Sequence, residues 1–413
     1  MGNNKKVPAI RFKGFTDDWE QRKLDELARF TKGSGYSKAD LRETGTPIIL
    51  YGRLYTKYET IIKEVDTYAE AKDGSVYSQG GEVIVPASGE TAEDISVASV
   101  IEKSGILIGG DLNIIHPLQE LDPAFLAISV STGEPHQDMT RRAQGKSVVH
   151  LHNEDLSQIE LRFPSIVEQQ EISRYFSNLD HLITLHQREH DKLLNVKKSM
   201  LEKMFPKNGE KVPEIRFKGF TGDWEQRKLG DMGTTFTGLS GKSKEDFGHG
   251  EAQFVTYMNV YSNPIADNNM TEHVEIDSRQ NKVKYGDVFF TTSSETPDEV
   301  GMSSVWLENY DNTYLNSFCF GYRPEQKIEP YYLAYMLRSD DVRKKIIFLA
   351  QGISRYNISI NRMIEIKIPL PNYDEQKRIG ALFKSLDYLI TLHQRKIEKL
   401  QNIKKSLLEK MFV

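Results

Sequence analysis

Residues Val7–Leu24 read VPAIRFKGFTDDWEQRKL, and residues Val212–Leu229 read VPEIRFKGFTGDWEQRKL. These two stretches, which we call A segments, lie 205 positions apart and differ at two positions only. A second repeat, LITLHQR, occupies Leu182–Arg188 and Leu389–Arg395 at a spacing of 207. The 413 residues therefore form two tandem copies, each with a constant beginning, a variable middle and a constant end.

The variable middles are the part of the chain in which the copies differ most. Each copy opens with an A segment, passes through a stretch of low similarity, and closes with a long constant stretch rich in Lys and Arg near its end. Two unlike middles in one constant frame predict two modules that recognise different things, with the frame setting their relation.

The constant closing stretches carry the pattern of long helices. Ser165 and Asn372 each follow a proline and stand three positions before Glu168 and Glu375, the spacing of an N-cap residue with Glu at N3. Downstream, apolar residues recur at steps of four and three, a heptad pattern with a few polar interruptions. The positions are Ile172, Phe176, Leu179, Ile183, His186, His190, Leu193, Lys197, Met200 and Met204 in the first copy, and Ile379, Phe383, Leu386, Ile390, His393, Ile397, Leu400, Lys404, Leu407 and Met411 in the second.

Two such heptad patterns in one chain predict an antiparallel coiled coil. The stretch Ile172–Met204 would span roughly 50 Å at about 1.5 Å per residue. The alternative is that each helix packs on its own module as an ordinary core helix. His186 and His190 have the i, i+4 spacing of zinc ligands, but Ile397 takes the place of His190 in the other copy. We interpret both histidines as coiled-coil positions that set the register, and we predict no metal site.

The variable middles share a hidden pattern. Runs rich in β-branched and aromatic residues predict strands at Glu82–Pro86, Gly105–Ile108 and Asp287–Thr292. Proline in the first turn predicts helices at Pro123–Ser131 and Pro330–Arg338. Matched points indicate one mixed α/β fold with two surfaces. They pair Ile48–Tyr51 with Phe254–Tyr257, Leu54-Tyr55 with Val260-Tyr261, Gly81–Val83 with Gly286–Val288, Ser88–Thr91 with Ser293–Thr296, Leu112-Asn113 with Leu315-Asn316, and Ala143–Ser147 with Ala350–Ser354.

Polar loops between these elements supply the candidate binding residues. Ser, Thr, Lys and backbone N–H groups suit phosphates, whereas Arg, Asn and Gln can bond base edges in pairs. Polar loops are also the ordinary surface of a protein, so it is their occurrence in two copies that favours DNA contact. The predicted contact residues are Ser34, Tyr36, Lys38, Arg53, Tyr55, Lys57, Ser88, Thr91, Lys146 and Ser147 in the first copy, and Lys242, Ser243, Lys244, Asn259, Tyr261, Ser294, Thr296, Ser354, Arg355, Tyr356 and Asn357 in the second.

Composition narrows the class of protein. The net charge of −5 argues against a DNA binder that acts alone, but not against a subunit whose partner supplies some phosphate contacts. One cysteine, Cys319, excludes an internal disulfide framework and favours a reducing compartment. The stretch MGNNKKVPAI has no apolar region of the kind found in secretory signals, and no run approaches the roughly 18 apolar residues of a membrane span. We expect a cytoplasmic protein with no membrane contact and a solvated tail at residues 1–6.

Motifs for catalysis are incomplete. Lys146 and Lys242 stand in Gly-Lys-Ser tripeptides, but a phosphate-binding P-loop needs glycine where Thr140 and Phe236 stand. Asn263–Ala266 resembles only half of an amino-methyltransferase motif, with no Gly-rich turn for a methyl donor. The sequence therefore predicts a chain that binds and positions, with no catalytic residues of its own.

Over nearly its whole length the chain resembles the specificity subunits of type I restriction–modification systems. The resemblance rests on the duplicated Arg-Phe-x-Gly-Phe…Trp-Glu-x-x-x-Leu of the A segments and on Pro-x-x-x-Glu-Gln at Pro164–Gln169 and Pro371–Gln376. It implies an α+β fold with two tandem mixed α/β target recognition domains and two long helices packed as an antiparallel coiled coil, in a pseudo-twofold internal repeat. The implied boundaries are 1–164 and 207–371 for the domains, and 165–206 and 372–413 for the spacer helices.

The resemblance also implies partners. Each recognition domain would read one half of a split, asymmetric sequence in double-stranded DNA. The helices would set the gap and bind two modification subunits, which methylate adenine at N6, and restriction subunits would join them. The methyl donor, ATP and Mg would then be bound by partners, and this chain would bind no cofactor.

Two other interpretations remain at this point. The chain could be the specificity protein of another restriction class, with methylase and nuclease fused in one partner. It could also be a coiled-coil scaffold that joins two protein-binding modules, and such a scaffold would show no salt-sensitive, sequence-dependent DNA affinity with its partner present.

Overall fold

The computed structural model describes residues 7–207 and 209–412. The predicted tail at residues 1–6 lies outside the described residues. The chain divides into two compact units: the first joins the residues up to Gln187 to those from Gln394 onward, and the second comprises Arg188–His393. Within the described residues, no helix is long and apolar enough to cross a membrane.

The first unit is mixed α and β. Its strands are β1 (Glu20–Lys23), β2 (Ala28–Lys32), β3 (Leu41–Arg42), β4 (Thr46–Ile49), β5 (Ile61–Ile62), β6 (Tyr68–Ala69), β7 (Glu82–Pro86), β8 (Ser88–Gly89), β9 (Ser99–Ile101), β10 (Leu107–Ile108), β11 (Leu112–Pro117), β12 (Val149–His150) and β13 (Glu160–Phe163). Its short helices are α1 (Leu24–Leu27), α2 (Arg53–Thr56), α3 (Ala92–Ile95), α4 (Pro123–Val130), α5 (Gly133–Arg142) and α6 (Asn153–Ser157), and a 3-10 turn lies at Lys38–Asp40. The long helix α7 (Ile166–Lys203) begins in this unit.

Two sheets form the body of the first unit. One has the strand order β2-β11-β7-β9-β5, antiparallel except for the β5–β9 pair, and the other has the order β10-β4-β6-β3, antiparallel except for β10–β4. Strand β7 is buried along its whole length because sheet neighbours cover both edges and packed side chains cover both faces. This explains its continuous apolar run in the sequence.

The second unit repeats these elements. Its strands are β14 (Glu225–Lys228), β15 (Gly233–Thr237), β16 (Phe247–Val255), β17 (Thr271–Val274), β18 (Val288–Thr291), β19 (Ser293–Ser294), β20 (Ser303–Val305), β21 (Thr313–Leu315), β22 (Cys319–Pro324), β23 (Tyr356–Asn357) and β24 (Lys367–Leu370). Its helices are α8 (Tyr257–Ser262), α9 (Pro330–Met336), α10 (Asp340–Phe348), α11 (Ile360–Met363) and the start of α12 (Tyr373–Met411), with 3-10 turns at Leu229–Asp231, Lys244–Asp246 and Asn268–Met270.

In the part of the chain that the structure describes, the sheets of the second unit have four and three strands where those of the first have five and four, and the shared strands have the same topology. Strand order β15-β22-β18-β20 matches β2-β11-β7-β9, and β17-β16-β21 matches β6-β4-β10 with the same parallel and antiparallel pairs. The predicted strands at Glu82–Pro86 and Asp287–Thr292 and the proline-opened helices are confirmed, and the strand predicted at Gly105–Ile108 is limited to Leu107–Ile108. One predicted match is wrong: Leu315 pairs with Val255 as Ile108 pairs with Ile49, so the counterpart of Leu315 is Ile108 and not Leu112. The spacing between the copies changes by a few residues in the loops, and sequence matching alone did not detect the change.

The A segments close each unit through a strand pair and a buried ion pair. Strand β1 pairs antiparallel with β13, which leads directly into α7. Arg11 Nε and Nη2 donate to the two carboxylate oxygens of Glu168 at 2.6 and 2.7 Å, and the Glu168 side chain is 1% exposed. In the second unit β14 pairs with β24, and Arg216 bonds Glu375 in the same way at 2.7 and 2.8 Å. In the second unit the Asn372 side chain accepts from the Glu375 N–H at 3.0 Å, as the predicted N-cap requires, while the carboxylates of Glu168 and Glu375 hold the A segments.

The glutamine after each of these glutamates fastens a second element. Gln169 accepts from the Asp122 N–H at 2.9 Å and donates to the Pro164 carbonyl at 2.8 Å. Gln376 accepts from the Glu329 N–H at 3.0 Å and donates to the Pro371 carbonyl at 2.8 Å. Asp122 and Glu329 are the N-cap residues of the proline-opened helices α4 and α9. The repeated Glu-Gln pair thus joins the long helix to the A segment and to the neighbouring helix.

Within the first unit, the end of α12 packs antiparallel to the start of α7. Phe412 contacts the rings of Trp19, Phe125 and Phe176 at centroid distances of 5.7–6.4 Å. Lys404 Nζ lies 2.5 Å from Asp180 Oδ1. The ion pair explains why a lysine interrupts the heptad pattern, because its charge is met by a carboxylate of the other helix.

Within the second unit, the end of α7 packs antiparallel to the start of α12. Phe205 contacts the rings of Tyr332 and Phe383 at 5.8 and 5.9 Å. Lys197 Nζ lies 2.5 Å from Asp387 Oδ1. Lys197 and Asp387 are the repeat counterparts of Lys404 and Asp180, so both units use the same pair of charges between helices.

The ion pair of the A segment predicts a large loss of stability when one partner is neutralised. In the Glu375→Gln variant the Arg216 charge stays largely buried without a counter-charge, so we expect a loss of about 3 kcal/mol in the free energy of unfolding. The shift of the urea midpoint of the full chain measures it. The matched control is Glu225→Gln, because the Glu225 side chain is 70% exposed and lies 3.6 Å from Arg227; we expect a change within about 0.5 kcal/mol. Equal losses in both variants would contradict the assignment.

Candidate nucleic-acid interface

In the first unit, a tight hairpin meets a short strand and a short helix. Gln144 and His150 exchange backbone hydrogen bonds of 3.0 and 2.8 Å, which closes the hairpin. Its second strand, β12, pairs antiparallel with β8. Tyr55, in α2, donates its hydroxyl to the Ser88 carbonyl in β8 at 2.7 Å. Three predicted contact regions, around residues 55, 88 and 147, are therefore brought together.

The second unit builds the same junction. Gln351 and Asn357 exchange backbone hydrogen bonds of 3.0 and 2.8 Å, and β23 pairs with β19. Tyr257, in α8, donates its hydroxyl to the Ser293 carbonyl at 2.7 Å. Arg355 adds a side-chain bond to Ser293 Oγ at 3.1 Å.

A glycine shapes each hairpin. Gly145 has φ +144° and Gly352 has φ +146°. A Cβ atom at these positions would lie 1.9 Å from the Val148 carbonyl oxygen and 2.0 Å from the Arg355 carbonyl oxygen. Only glycine fits such a turn, which accounts for the Gln-Gly pair that both copies retain. At the tips, by contrast, Lys146 in one copy faces solvent where Ile353, 97% exposed, does so in the other.

Three of the predicted contact residues of the second unit converge on a carboxylate that sequence reasoning missed. Tyr261 donates to Glu299 Oε1 at 2.8 Å, and Ser294 donates to Oε2 at 3.1 Å. Hydrogen bonds from Tyr261, then Thr296 and Ser294, hold the pKa of Glu299 below its usual value. The carboxylate is therefore ionised and oriented beside the hairpin, where it can accept hydrogen bonds. Its loop is neither Gly-rich nor basic, so no pattern in the sequence marked it.

Two half-buried arginines hold the loops that carry this cluster. Arg338 donates to the carbonyls of Val260 and Tyr261 at 2.9 and 3.0 Å, and Arg343 donates to those of Val300 and Gly301 at 2.9 and 2.7 Å. Burial lowers the pKa of each arginine to about 10. Each charge is thus satisfied chiefly by backbone carbonyls, which rigidifies α8 and the loop around Glu299.

The first unit uses smaller side chains at the equivalent positions, 207 residues earlier. The Ser131 hydroxyl accepts from the Ala98 N–H at 2.8 Å, and His136 Nδ1 lies 2.7 Å from the Ser96 carbonyl. The same backbone framework is therefore held in both units, while the residues that hold it differ.

Several predicted contact residues of the first unit have partners within the fold. Tyr36 is 7% exposed, and its hydroxyl bonds Ser75 Oγ at 2.5 Å. The Arg53 side chain is 8% exposed and lies 2.7 Å from carboxylate oxygens of both Glu59 and Asp66. Ser34 accepts from the Val76 N–H at 3.0 Å. These contacts all lie within the unit.

Other predicted residues of the first unit lie at the surface. Lys38, Tyr55, Lys146 and Ser147 are exposed, and Ser88 is half-buried. Two further exposed residues have partners within the unit: Lys57 pairs with Asp66 at 3.0 Å, and the Thr91 hydroxyl accepts from the Asp94 N–H as the N-cap of α3.

In the second unit, three predicted residues also have structural partners. Asn259 is fully buried and donates to the carbonyls of Asp267 and Met270 at 2.7 and 3.1 Å. Lys242 pairs with Asp277 at 3.2 Å. Ser243 is the N-cap of the 3-10 turn at Lys244–Asp246. Asn259 therefore lies in the core, which its polar side chain did not suggest.

The hairpin of the second unit carries the exposed residues of the predicted set. Ser354, Arg355 and Asn357 are exposed, Tyr356 is half-buried, and Lys244 and Thr296 are exposed on neighbouring loops. The hairpin therefore presents a guanidinium, an amide and hydroxyl groups on one rigid turn, and the Glu299 carboxylate lies beside it. Such a set can hydrogen-bond both base edges and phosphates.

Within residues 7–207 and 209–412 the side chains assemble neither a metal site nor a reactive thiol site. No group of three or more His, Cys, Asp or Glu side chains there could hold a metal ion. His190 Nδ1 lies 3.2 Å from the neighbouring Asp191 carboxylate. Cys319 is buried, and burial raises the pKa of its thiol.

Comparison with known proteins identifies the family. The family model for the type I restriction modification DNA specificity domain matches residues 16–195 and again residues 221–402. The type I restriction enzyme MjaVIII specificity subunit of Methanocaldococcus jannaschii is 22% identical over 406 residues, which cover 95% of this chain and 91% of the relative. The putative MjaX specificity subunit of the same organism is 28% identical over 198 residues, 46% of this chain and 45% of the relative.

Solved structures share the fold. A type I restriction–modification S subunit from M. genitalium has a TM-score of 0.58 at 16% identity, with 98% of this chain and 99% of that chain covered. A chain from a study of complex assembly and conformational transition of a type I system has a TM-score of 0.51 at 15% identity, with 95% and 97% covered. The two tandem matches to the family model span most of the sequence, one in each copy of the repeat. The chain therefore belongs to the type I restriction–modification DNA specificity family.

Proposed function

We propose that this specificity subunit reads a bipartite, asymmetric DNA target, one half-site with each unit, and thereby positions the catalytic subunits of a type I system. The family is one of specificity subunits, so the chain is non-catalytic and catalysis falls to its partners. The hairpin junctions and the Glu299 cluster would contact the bases.

One observation carries the proposal. The two junctions have the same strand pairing, the same closed hairpin and the same obligatory glycine, but different side chains at the exposed positions. A shared backbone positions the contacts, and unlike side chains select unlike sequences. This is the arrangement that an asymmetric target with two half-sites requires.

The long helices would serve as the spacer. We infer that α7 and α12 form one antiparallel coiled coil, supported by the antiparallel packing within each unit and by the pairs Lys404–Asp180 and Lys197–Asp387. Partly buried charges at such positions specify register in coiled coils. In this proposal residues 165–206 and 372–413 are the spacer, and residues 1–164 and 207–371 are the recognition domains.

The partners follow from the family. We propose that two modification subunits bind the chain and methylate adenine at N6, and that restriction subunits join the complex in the cytoplasm. The methyl donor, ATP and Mg would be bound by those subunits. Subunits that also contact DNA would compensate for the net charge of −5 on this chain.

A methylation map tests the proposal. The chain would be co-expressed with its modification subunit in a host that lacks adenine methylation, and the genome would be sequenced for N6-methyladenine. We expect a single split motif with two short half-sites and a fixed gap. Absence of new methylation from a soluble, co-purified complex would contradict the proposal.

Lengthening the spacer should change the gap and nothing else. Inserting about one helical turn after Lys192, with a matching turn inserted after Lys399 in α12, should lengthen the gap because the coiled coil sets it. The methylation map measures the gap and both half-sites. An active variant with an unchanged gap would exclude the spacer role.

Replacing residues of the second junction should alter one half-site only. The Glu299→Gln variant loses an acceptor and gains a donor, so we expect altered base preference worth about 1–3 kcal/mol at one position. Arg355→Ala should relax preference in the same half-site. The methylation map provides the readout.

The control for these variants lies in the other copy. Asp94 stands 205 positions before Glu299, and Asp94→Asn should leave the half-site of the second unit unchanged. Simultaneous changes in both half-sites after Glu299→Gln would argue against one unit reading one half-site.

A further inference from the structure

A basic groove lies beside the hairpin of the second unit. It is lined by residues of α10, α11 and β24: Lys344, Lys345, Phe348, Leu349, Arg362, Glu365, Ile366 and Lys367. Four of these residues are cations and one is a carboxylate. Phe348 stands at the end of α10 with 89% of its surface exposed. A ring this exposed contributes nothing to the hydrophobic core. Its position among cations therefore indicates a role in binding.

Carboxylates within the unit neutralise only part of the positive charge of the groove. Glu365 is paired with Lys228 at 2.6 Å, a lysine outside the groove, and Lys345 is paired with Asp341 at 2.7 Å. Lys344 and Lys367 are exposed. The groove therefore presents a net positive surface to solvent.

The groove is tied to the hairpin. The side-chain oxygen of Gln351, in the amide orientation that satisfies its neighbours, accepts from Arg362 Nη1 at 2.5 Å and from Nη2 at 3.2 Å. Gln351 opens the hairpin, and Leu349 of the groove precedes it by two positions. A ligand that contacts Arg355 at the hairpin can therefore extend along the groove without leaving the surface.

The first unit has the opposite charge at the same places. The equivalent positions, 207 residues earlier, hold Gln137, Asp138, Arg141, Arg142, Asp155, Gln158, Ile159 and Glu160. These positions carry three carboxylates and two cations. Asp138 pairs with both arginines, at 2.9 Å from Arg142 and 3.7 Å from Arg141. Because the two units share the fold of these elements, the difference between them at these positions is one of surface charge.

From this contrast we infer that the groove of the second unit is a phosphate-backbone contact, absent from the first unit, that anchors duplex DNA beside its half-site. The inference rests on the proposed function and adds an asymmetry to it. Lysines and an arginine along a groove next to a base-reading hairpin complement the negative charge of a duplex, and Phe348 can pack against a deoxyribose. The second half-site should therefore supply more of the salt-dependent affinity than the first.

The experiment measures salt dependence. The full chain, co-purified with its modification subunit, is titrated with a duplex carrying the mapped target at several salt concentrations. The double variant Lys344→Gln/Lys367→Gln removes two phosphate contacts, so the slope of log K against log salt should become shallower by about 2. Phe348→Ala should weaken binding with an unchanged slope, because no charge is removed.

A charge-matched control separates a local contact from net charge. Lys327 and Lys377 lie over the ring of Tyr373, at 4.4 and 5.4 Å from its centroid, at the start of α12 in the same unit. The double variant Lys327→Gln/Lys377→Gln removes the same charge and should leave the slope unchanged. Thermal melting of each variant verifies that it is folded.

The outcomes are distinct. A shallower slope in the groove variant alone supports the inference, and equal changes in both double variants overturn it in favour of net charge. An unchanged slope with loss of the modification subunit would make the groove a protein-binding surface and also overturn it. An unchanged slope in an intact complex refutes the groove contact while sequence-specific binding upholds the proposed function. If the unaltered complex shows no sequence-dependent binding, the proposed function fails and the inference with it.

Discussion

A bidentate ion pair between an arginine of the A segment and a buried glutamate of the long helix closes each copy. Arg11–Glu168 and Arg216–Glu375 have nearly the same geometry, with the carboxylates almost wholly withdrawn from solvent. A buried charge that loses its partner is costly, so neither residue can change alone. The strand that leads into the helix, the glutamine that fastens the next helix and the A segment itself all depend on this contact. It gives a structural reason for the near-identity of the two A segments and of the two Glu-Gln pairs.

The same closure joins the ends of the chain. In the second unit the Ile215 N–H donates to the carbonyl of Lys203, the last residue of α7, at 2.9 Å. In the first unit the Ile10 N–H donates to the Lys410 carbonyl at 3.0 Å, although these residues lie at opposite ends of the sequence. Both units therefore have the same contact between the end of a long helix and an A segment. In the second unit a continuous chain connects the two, and in the first unit they meet through non-covalent contacts. Two equivalent units result, and each can carry its own surface.

The exposed hairpin and groove residues in which the two copies differ take no part in the contacts that close each unit. Gly145 and Gly352 are kept because no other residue fits their turns, whereas the tips and the grooves beside them differ in charge and shape. The loops are held by half-buried arginines in one unit and by a serine and a histidine in the other. Different side chains can therefore satisfy the same backbone groups, which lets recognition surfaces diverge on one framework. An oriented carboxylate such as Glu299 and a basic groove such as that of α10 and α11 are two results of this freedom.

The repeat, the helix starts at Ser165 and Asn372, the buried strand Glu82–Pro86 and the proline-opened helices could all be predicted, because local propensity and periodicity determine them. Family membership also followed from the A segments and the Glu-Gln pairs. The role of those pairs could not be predicted, since Arg11 meets Glu168 across 157 positions. Nor could the burial of Asn259, the pairing of Arg53 with two carboxylates, or the convergence of Tyr261, Ser294 and Thr296 on Glu299. A polar residue in a loop has the same appearance in sequence whether it faces solvent or a buried carbonyl, and only the tertiary structure decides which of its hydrogen bonds are already made.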